Sequence, residues 1–159
     1  MRLPKGAARR VLLTAAVAGV VAAAFGAVSL ARAGGSSHNH VFTLTEVQQK
    51  GTFVSVSGNP QGAPGDEFIF HAALKRDGKK VGTIDAYCVL TVSPDVQCTG
   101  TFKFADGSLA ASALIDQVDK TPDHISIVGG TGRYAHASGQ VTSTSTGNTT
   151  SRDVFNIRY

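Results

Sequence analysis

Ile127-Val128-Gly129-Gly130-Thr131-Gly132-Arg133-Tyr134-Ala135-His136-Ala137-Ser138-Gly139 is the stretch on which the fold turns. An apolar run leads into it, a Thr/Ser-rich run leaves it, and it carries no helix signal. Glycines this dense permit positive φ and close backbone approach. The stretch therefore reads as a strand that ends in a tight corner and re-enters a sheet, with Gly129, Gly130 and Gly132 as structural turn residues. Gly130-x-Gly132-x-x-Ala135 also has the form of a dinucleotide-binding fingerprint. That fingerprint needs a helix directly after it, because the pyrophosphate rests on the helix N-terminus. Here Gln140-Val141-Thr142-Ser143-Thr144-Ser145-Thr146 follows, a β-favouring run of poor helix propensity. The nucleotide reading falls on that point.

Outward from this corner the periodicity is two everywhere. Nine runs read as strands: Val41–Gln48, Thr52–Ser57, Asp66–Leu74, Val81–Val92, Gln97–Ala105, Ser108–Ile115, His124–Gly129, Gly139–Thr146 and Asp153–Tyr159. Turn residues separate most of them, including Gly58-Asn59-Pro60, Pro64-Gly65, Asp77-Gly78, Asp106-Gly107 and Gly147-Asn148. No segment sustains a 3.6-residue period. Short strands joined by tight turns predict an all-β sandwich or barrel.

Alternation also sorts the faces. In Val81–Val92 one face carries Gly82, Ile84, Ala86, Cys88, Leu90 and Val92; the other carries Thr83, Asp85 and Tyr87. In Gln97–Ala105 the apolar face is Cys98, Gly100, Phe102 and Phe104. With Ser93-Pro94-Asp95 as a hairpin tip, Cys88 and Cys98 fall opposite each other on one apolar face, which predicts a disulfide. The spacing excludes a Cys-x-x-Cys redox motif. Leu109-Ala110-Ala111-Ser112-Ala113 has little volume on either face, leaving room for a cavity or for Phe68, Phe70, Phe102 and Phe104, the candidate lining of a binding site.

The N-terminus stands apart from this pattern. Residues 1–10 hold Arg2, Lys5, Arg9 and Arg10, Val11–Leu30 is an uncharged Ala/Val/Leu run, and Ala31-Arg32-Ala33 has the form of a cleavage site. Residues 1–33 thus read as a signal peptide cut after Ala33, 34–40 as a flexible linker and 41–159 as the folded domain. The Arg9-Arg10 pair suits the twin-arginine route as well as the general one, and an uncleaved segment would anchor the protein to the membrane. The signal holds five of the 15 Lys and Arg and none of the 11 acids, so the remainder carries a formal charge of −1. The basic balance belongs to the signal, and no basic cluster or aromatic ladder speaks for nucleic acid. Export to an oxidising compartment agrees with a disulfide.

Several motifs then resemble a known family. Gly65-Asp66, Lys80-Val81-Gly82, Tyr87-Cys88-Val89-Leu90, Cys98-Thr99-Gly100-Thr101-Phe102, Asp106-Gly107, Ile127 to Tyr134 and Ser138-Gly139-Gln140-Val141 occur in an order similar to that of the bacterial allene oxide cyclase barrel-like proteins, relatives of plant dirigent proteins. The resemblance covers roughly Val41 to Tyr159. It implies an eight-stranded antiparallel, calycin-type barrel with a mostly apolar lumen, so two of the nine runs join or one flanks the barrel. The plant cyclases place a catalytic Glu and an Asn on the first strand; aligned here, those positions hold Thr43 and Thr45. On that alignment Glu46 faces the opposite side of the strand. Ala135 and Ser138 stand where dirigent proteins carry an Arg, and Cys88 matches a lumen cysteine.

Other candidates for chemistry are sparse. Asp66, Asp85 and Tyr87 are acid/base candidates, Asp66 doubling as a turn cap. His38-Asn39-His40 has no third ligand nearby in sequence, so no metal and no cofactor is expected; His71 reads as outward. No Gly-x-Ser-x-Gly nucleophile motif occurs. The expected function is an exported barrel that binds a small apolar molecule and steers its cyclisation or isomerisation, with homo-oligomerisation left open. The alternatives are a non-enzymatic extracellular structural protein with a filled barrel, and dirigent-like stereocontrol of a coupling reaction. A lumen of roughly several hundred cubic ångströms, the size of ligand pockets, separates binding from filling.

Overall fold

The computed structural model describes residues 38–92, 95–118 and 121–159; the signal assignment and residues 34–37 of the linker lie outside the described residues. Eight strands follow in order: β1 Asn39–Val54, β2 Glu67–Arg76, β3 Lys79–Leu90, β4 Asp95–Phe104, β5 Gly107–Asp116, β6 Asp123–Gly132, β7 Ser138–Gly147 and β8 Thr150–Arg158. Each pairs antiparallel with its sequence neighbours, and β1 pairs with β8 to close the barrel. Closure leaves no strand edge unpaired.

The first two of the nine runs are one strand. In the β1–β2 ladder Gln48 faces Ala72 and Lys50 faces His71, so Gln49 is an extra residue in a β-bulge. The bulge shifts the alternation by one. Phe42, Leu44 and Glu46 point inward before it, and after it Gly51 and Phe53 stand opposite Phe70 and Phe68 in the ladder.

The turns β2–β3, β4–β5 and β6–β7 gather at one end of the barrel, the hairpin end, and the long β1–β2 connection lies at the other, the loop end. Towards the hairpin end the interior is filled by Phe102, Phe155, Leu44, Leu74, Leu109, Ile157 and Val141, all fully buried. Phe155 stacks on Phe42 at 4.7 Å and meets Phe102 edge-on at 5.0 Å. Burial of side chains this size contributes about 1.5–3 kcal/mol each.

Gly129–Gly132 ends β6 and leads into a corner. Gly132 has φ 60°, and Arg133 N–H donates to Asp106 O at 2.9 Å. Tyr134 N–H and Ala135 N–H close turns on Thr131 O and Gly132 O, both at 3.1 Å. A Cβ on Gly130 would collide with the carbonyl oxygens of Tyr134 and Ser108, and one on Gly132 with that of Asp106; Gly129 has open space. β7 follows with no intervening helix.

Cys88 and Cys98 are directly paired in the β3–β4 ladder and form a disulfide, with Cα atoms 4.0 Å apart. It sits on the inner face in a buried cluster with Val96, against which Phe68, Phe70, Leu90 and Ile115 pack.

Candidate functional site

Beyond the filled half, towards the loop end, the barrel interior has two unlike walls. Strands β2 to β5 present apolar or small side chains: Phe70, Ile84, Ala86, Cys98, Gly100, Phe102, Ala111, Ala113 and Ile115. Strands β1 and β6 to β8 present Glu46, Asp123, Ser143, Ser151 and Asp153 among the apolar positions. Between the walls lies a cavity of about 110 Å³ that Glu46, Asp123 and Ser143 reach from the polar side. The alanines of β5 and Gly100 open this space, as their low volume requires. At this size it falls short of the several hundred cubic ångströms that separate a binding lumen from a filled one, because the large side chains of the hairpin half close off the rest of the lumen.

Glu46 corrects the sequence reading. It lies on the inner face of β1, in phase with Phe42 and Leu44, whereas Thr43 and Thr45 are exposed outside. Opposite it on β8, Asp153 is 1 % exposed. Asp153 Oδ1 accepts hydrogen bonds from Ser143 Oγ at 2.7 Å and Ser151 Oγ at 2.8 Å. Its Oδ2 is buried and meets no hydroxyl or amide donor. The Glu46 carboxyl, which hydrogen-bonds Asp153, is the neighbouring group able to supply a proton. Burial first, then the Asp153 charge and this hydrogen bond, push Glu46 up to about 8. Burial also raises Asp153, opposed by the serine hydroxyls. Glu46 therefore keeps its proton near neutrality. A neutral carboxylic acid facing an apolar cavity can donate a hydrogen bond or a proton.

The other candidates lie elsewhere. Asp85 and Tyr87 are on the outer face: Asp85 Oδ1 is 2.7 Å from His71 Nδ1, and Tyr87 donates to Glu67 at 2.6 Å, which raises its phenol. Asp66 is buried under the β1–β2 connection and accepts from Ser57 N–H at 2.7 Å, Ser57 Oγ at 2.9 Å and Ala63 N–H at 2.8 Å. These bonds, Ser57 N–H foremost, hold it below the usual carboxylate range; it is a loop cap. All four candidate phenylalanines belong to inward-facing positions. Phe70 and Phe102 line the cavity, Phe104 lines the hairpin mouth, and Phe68 packs by the disulfide. Among the described residues no three His, Cys, Asp or Glu side chains converge as a metal site.

Solved structures share this architecture. A pyocyanin demethylase matches at 26 % identity and a TM-score of 0.66, over 74 % of this chain and 99 % of its own. A pterocarpan synthase dirigent protein matches at 14 % identity and TM-score 0.67, over 77 % and 89 %. The Diels–Alderase AbmU from Streptomyces koyangensis matches at 19 % and 0.63, over 79 % and 70 %. No curated protein matches the sequence. The model of the allene oxide cyclase barrel-like domain matches residues 44–157; with the closed eight-stranded barrel it describes, the chain belongs to the allene oxide cyclase barrel-like family.

Proposed function

We propose that the barrel binds a small, mainly apolar molecule at its loop end and steers a cyclisation or isomerisation of it, with Glu46 handling the proton. The observation that carries this reading is the placement of Glu46, backed by Asp153, on the polar wall of a cavity whose other wall is apolar. A cavity near 110 Å³, smaller than the roughly 150 Å³ that accommodates benzene, limits the bound part of the molecule to no more than one small ring. The ring body packs against Phe70, Phe102 and the alanines, and one hydrogen-bond acceptor on it meets Glu46. Glu46 gives its proton to that acceptor and regains one from the same molecule, so an isomerisation balances with no co-reactant. An acid with a pKa close to the working pH suits this exchange. The structural neighbours that carry out ring-forming chemistry on this barrel support the reading. Export rests on the N-terminal pattern and agrees with the Cys88–Cys98 disulfide.

The filled hairpin half supports the rival, a structural barrel with no ligand. Titration with cyclohexenone, one ring bearing one carbonyl, followed by NMR separates the two. Saturable shifts in cavity residues, lost in Ala111→Leu and weakened in Glu46→Gln, support the binding reading. No shift in the wild type at millimolar probe, with Ala111→Leu raising the melting temperature, leaves the structural barrel.

A further inference from the structure

The hairpin end carries a second concavity, separated from the cavity at Glu46 by the buried layer of Phe102, Phe155 and Leu44. Its volume, about 520 Å³, falls within the range of small-molecule sites. Aromatic rings make its floor. Tyr134 is buried, with Phe104 at 5.4 Å and Tyr159 at 4.9 Å between ring centres, and His40 stacks on Tyr159 at 4.3 Å. Two arginines flank that floor, each over one of its rings: Arg76 Cζ lies 5.3 Å from the Phe42 ring centre and Arg133 Cζ 5.7 Å from that of Tyr159.

A guanidinium carries five N–H donors, and those not spent on the ring can take a carboxylate in a two-pronged bond. Arg133 uses one contact, 3.3 Å to Asp106 Oδ2, and that pair is solvent-exposed. Arg76 forms no ion pair among the described residues. Around the basin, then, two guanidiniums stand against the Asp106 side chain. Aromatic floor and planar cations, of which Arg76 has no ion-pair partner among the described residues, select the same chemistry. The geometry points to a second site, at the hairpin end, that binds planar aromatic carboxylates between Arg76 and Arg133.

The test is titration of the full chain with benzoate, followed by calorimetry and NMR, with benzamide as the uncharged analogue of equal shape. Benzoate binds at least tenfold tighter than benzamide, weakens with added salt, and shifts the resonances of Arg76, Arg133 and Tyr159. Arg76→Gln and Arg133→Gln each weaken it at least fivefold, Arg133→Lys does so without loss of charge, and Asp106→Asn tightens it. Should a Gln variant fail to fold, the salt dependence, the benzamide ratio and Asp106→Asn still decide. Equal binding of benzoate and benzamide, or no benzoate binding at millimolar concentration, overturns the assignment. So does benzoate binding that survives both arginine variants and vanishes in Ala111→Leu, which would place the probe at the Glu46 cavity instead.

Discussion

Glu46 on β1 and Asp153 on β8 are diagonal neighbours on the inner face of the seam that closes the barrel. The β1–β8 ladder sets Leu44 opposite Asp153 and Glu46 opposite Ser151, so the two carboxyls come together only when the first and last strands pair. Ser143 on β7 and Ser151 on β8 fix Asp153 Oδ1 from two sides. A buried, unpaired anion is costly, and the proton held on Glu46 removes one charge from the pair. Interior acidity is thus a product of closure.

That relationship makes stability depend on pH in a defined direction. Glu46 has its folded pKa raised from 4.5 to about 8, so the native state binds more protons than the unfolded chain between those limits. This contribution to stability is fully present below about 4.5 and is lost as pH rises through about 8. At about 1.4 kcal/mol per tenfold difference in proton affinity, the loss is a few kcal/mol. Urea denaturation midpoints measured from pH 5 to 9 should decline, and the decline should flatten in Glu46→Gln. A midpoint that climbs over this range, or the same decline in the variant, refutes the buried pair.

Asp153→Asn separates the causes acting on Glu46. Removing the Asp153 charge takes away one contribution while burial, the largest, remains. Carbon-13 NMR of the Glu46 carboxyl should show its titration moving down from about 8 yet staying above 4.5. An unchanged midpoint would mean that the two groups do not interact.

Much of this site is legible in the chain from strand phase alone. Phe42, Leu44 and Glu46 share one phase of β1, and Asp153, Phe155 and Ile157 share one phase of β8. Since the apolar members of each set had to face the core, the acids had to join them. Alignment of the first strand on the plant motif puts Thr43 and Thr45 on the inner face instead, which hides the acid. The disulfide was readable because strand phase and hairpin position converge on Cys88 and Cys98, both local facts. The fusion of the first two runs was not, since a bulge at Gln49 keeps a strand going across Lys50-Gly51, residues that also break strands. Nor was the cavity volume, which depends on how Phe102 and Phe155 pack across the barrel.

The disulfide has its own energetic signature. It closes a loop of separation 10, for which chain-entropy reasoning gives roughly 2.5–3 kcal/mol. Cys88→Ser/Cys98→Ser should lower stability by about that amount while keeping the β-sheet circular dichroism, and non-reduced protein should titrate no free thiol. Two thiols per chain would remove the bridge from the structure.

The corner after β6 gives the sharpest contrast among neighbouring glycines. Gly130 has carbonyl oxygens of Tyr134 and Ser108 where a Cβ would go, and Gly132 combines φ 60° with the Asp106 carbonyl. Neither obstruction can yield without moving backbone that holds the Arg133–Asp106 bond and the burial of Tyr134. Alanine at either site should therefore cost more than the ordinary penalty of about 1 kcal/mol. For a domain of this size that is a fall of roughly 3–5 °C or more in melting temperature. Gly129, three residues earlier than Gly132, has open space at its Cβ and no positive φ. Gly129→Ala should leave the melting temperature unchanged or raise it, because it restricts the unfolded chain at no steric cost. Wild-type melting in Gly130→Ala and Gly132→Ala, or a loss in Gly129→Ala as large as theirs, would show that the corner is not what these glycines are for.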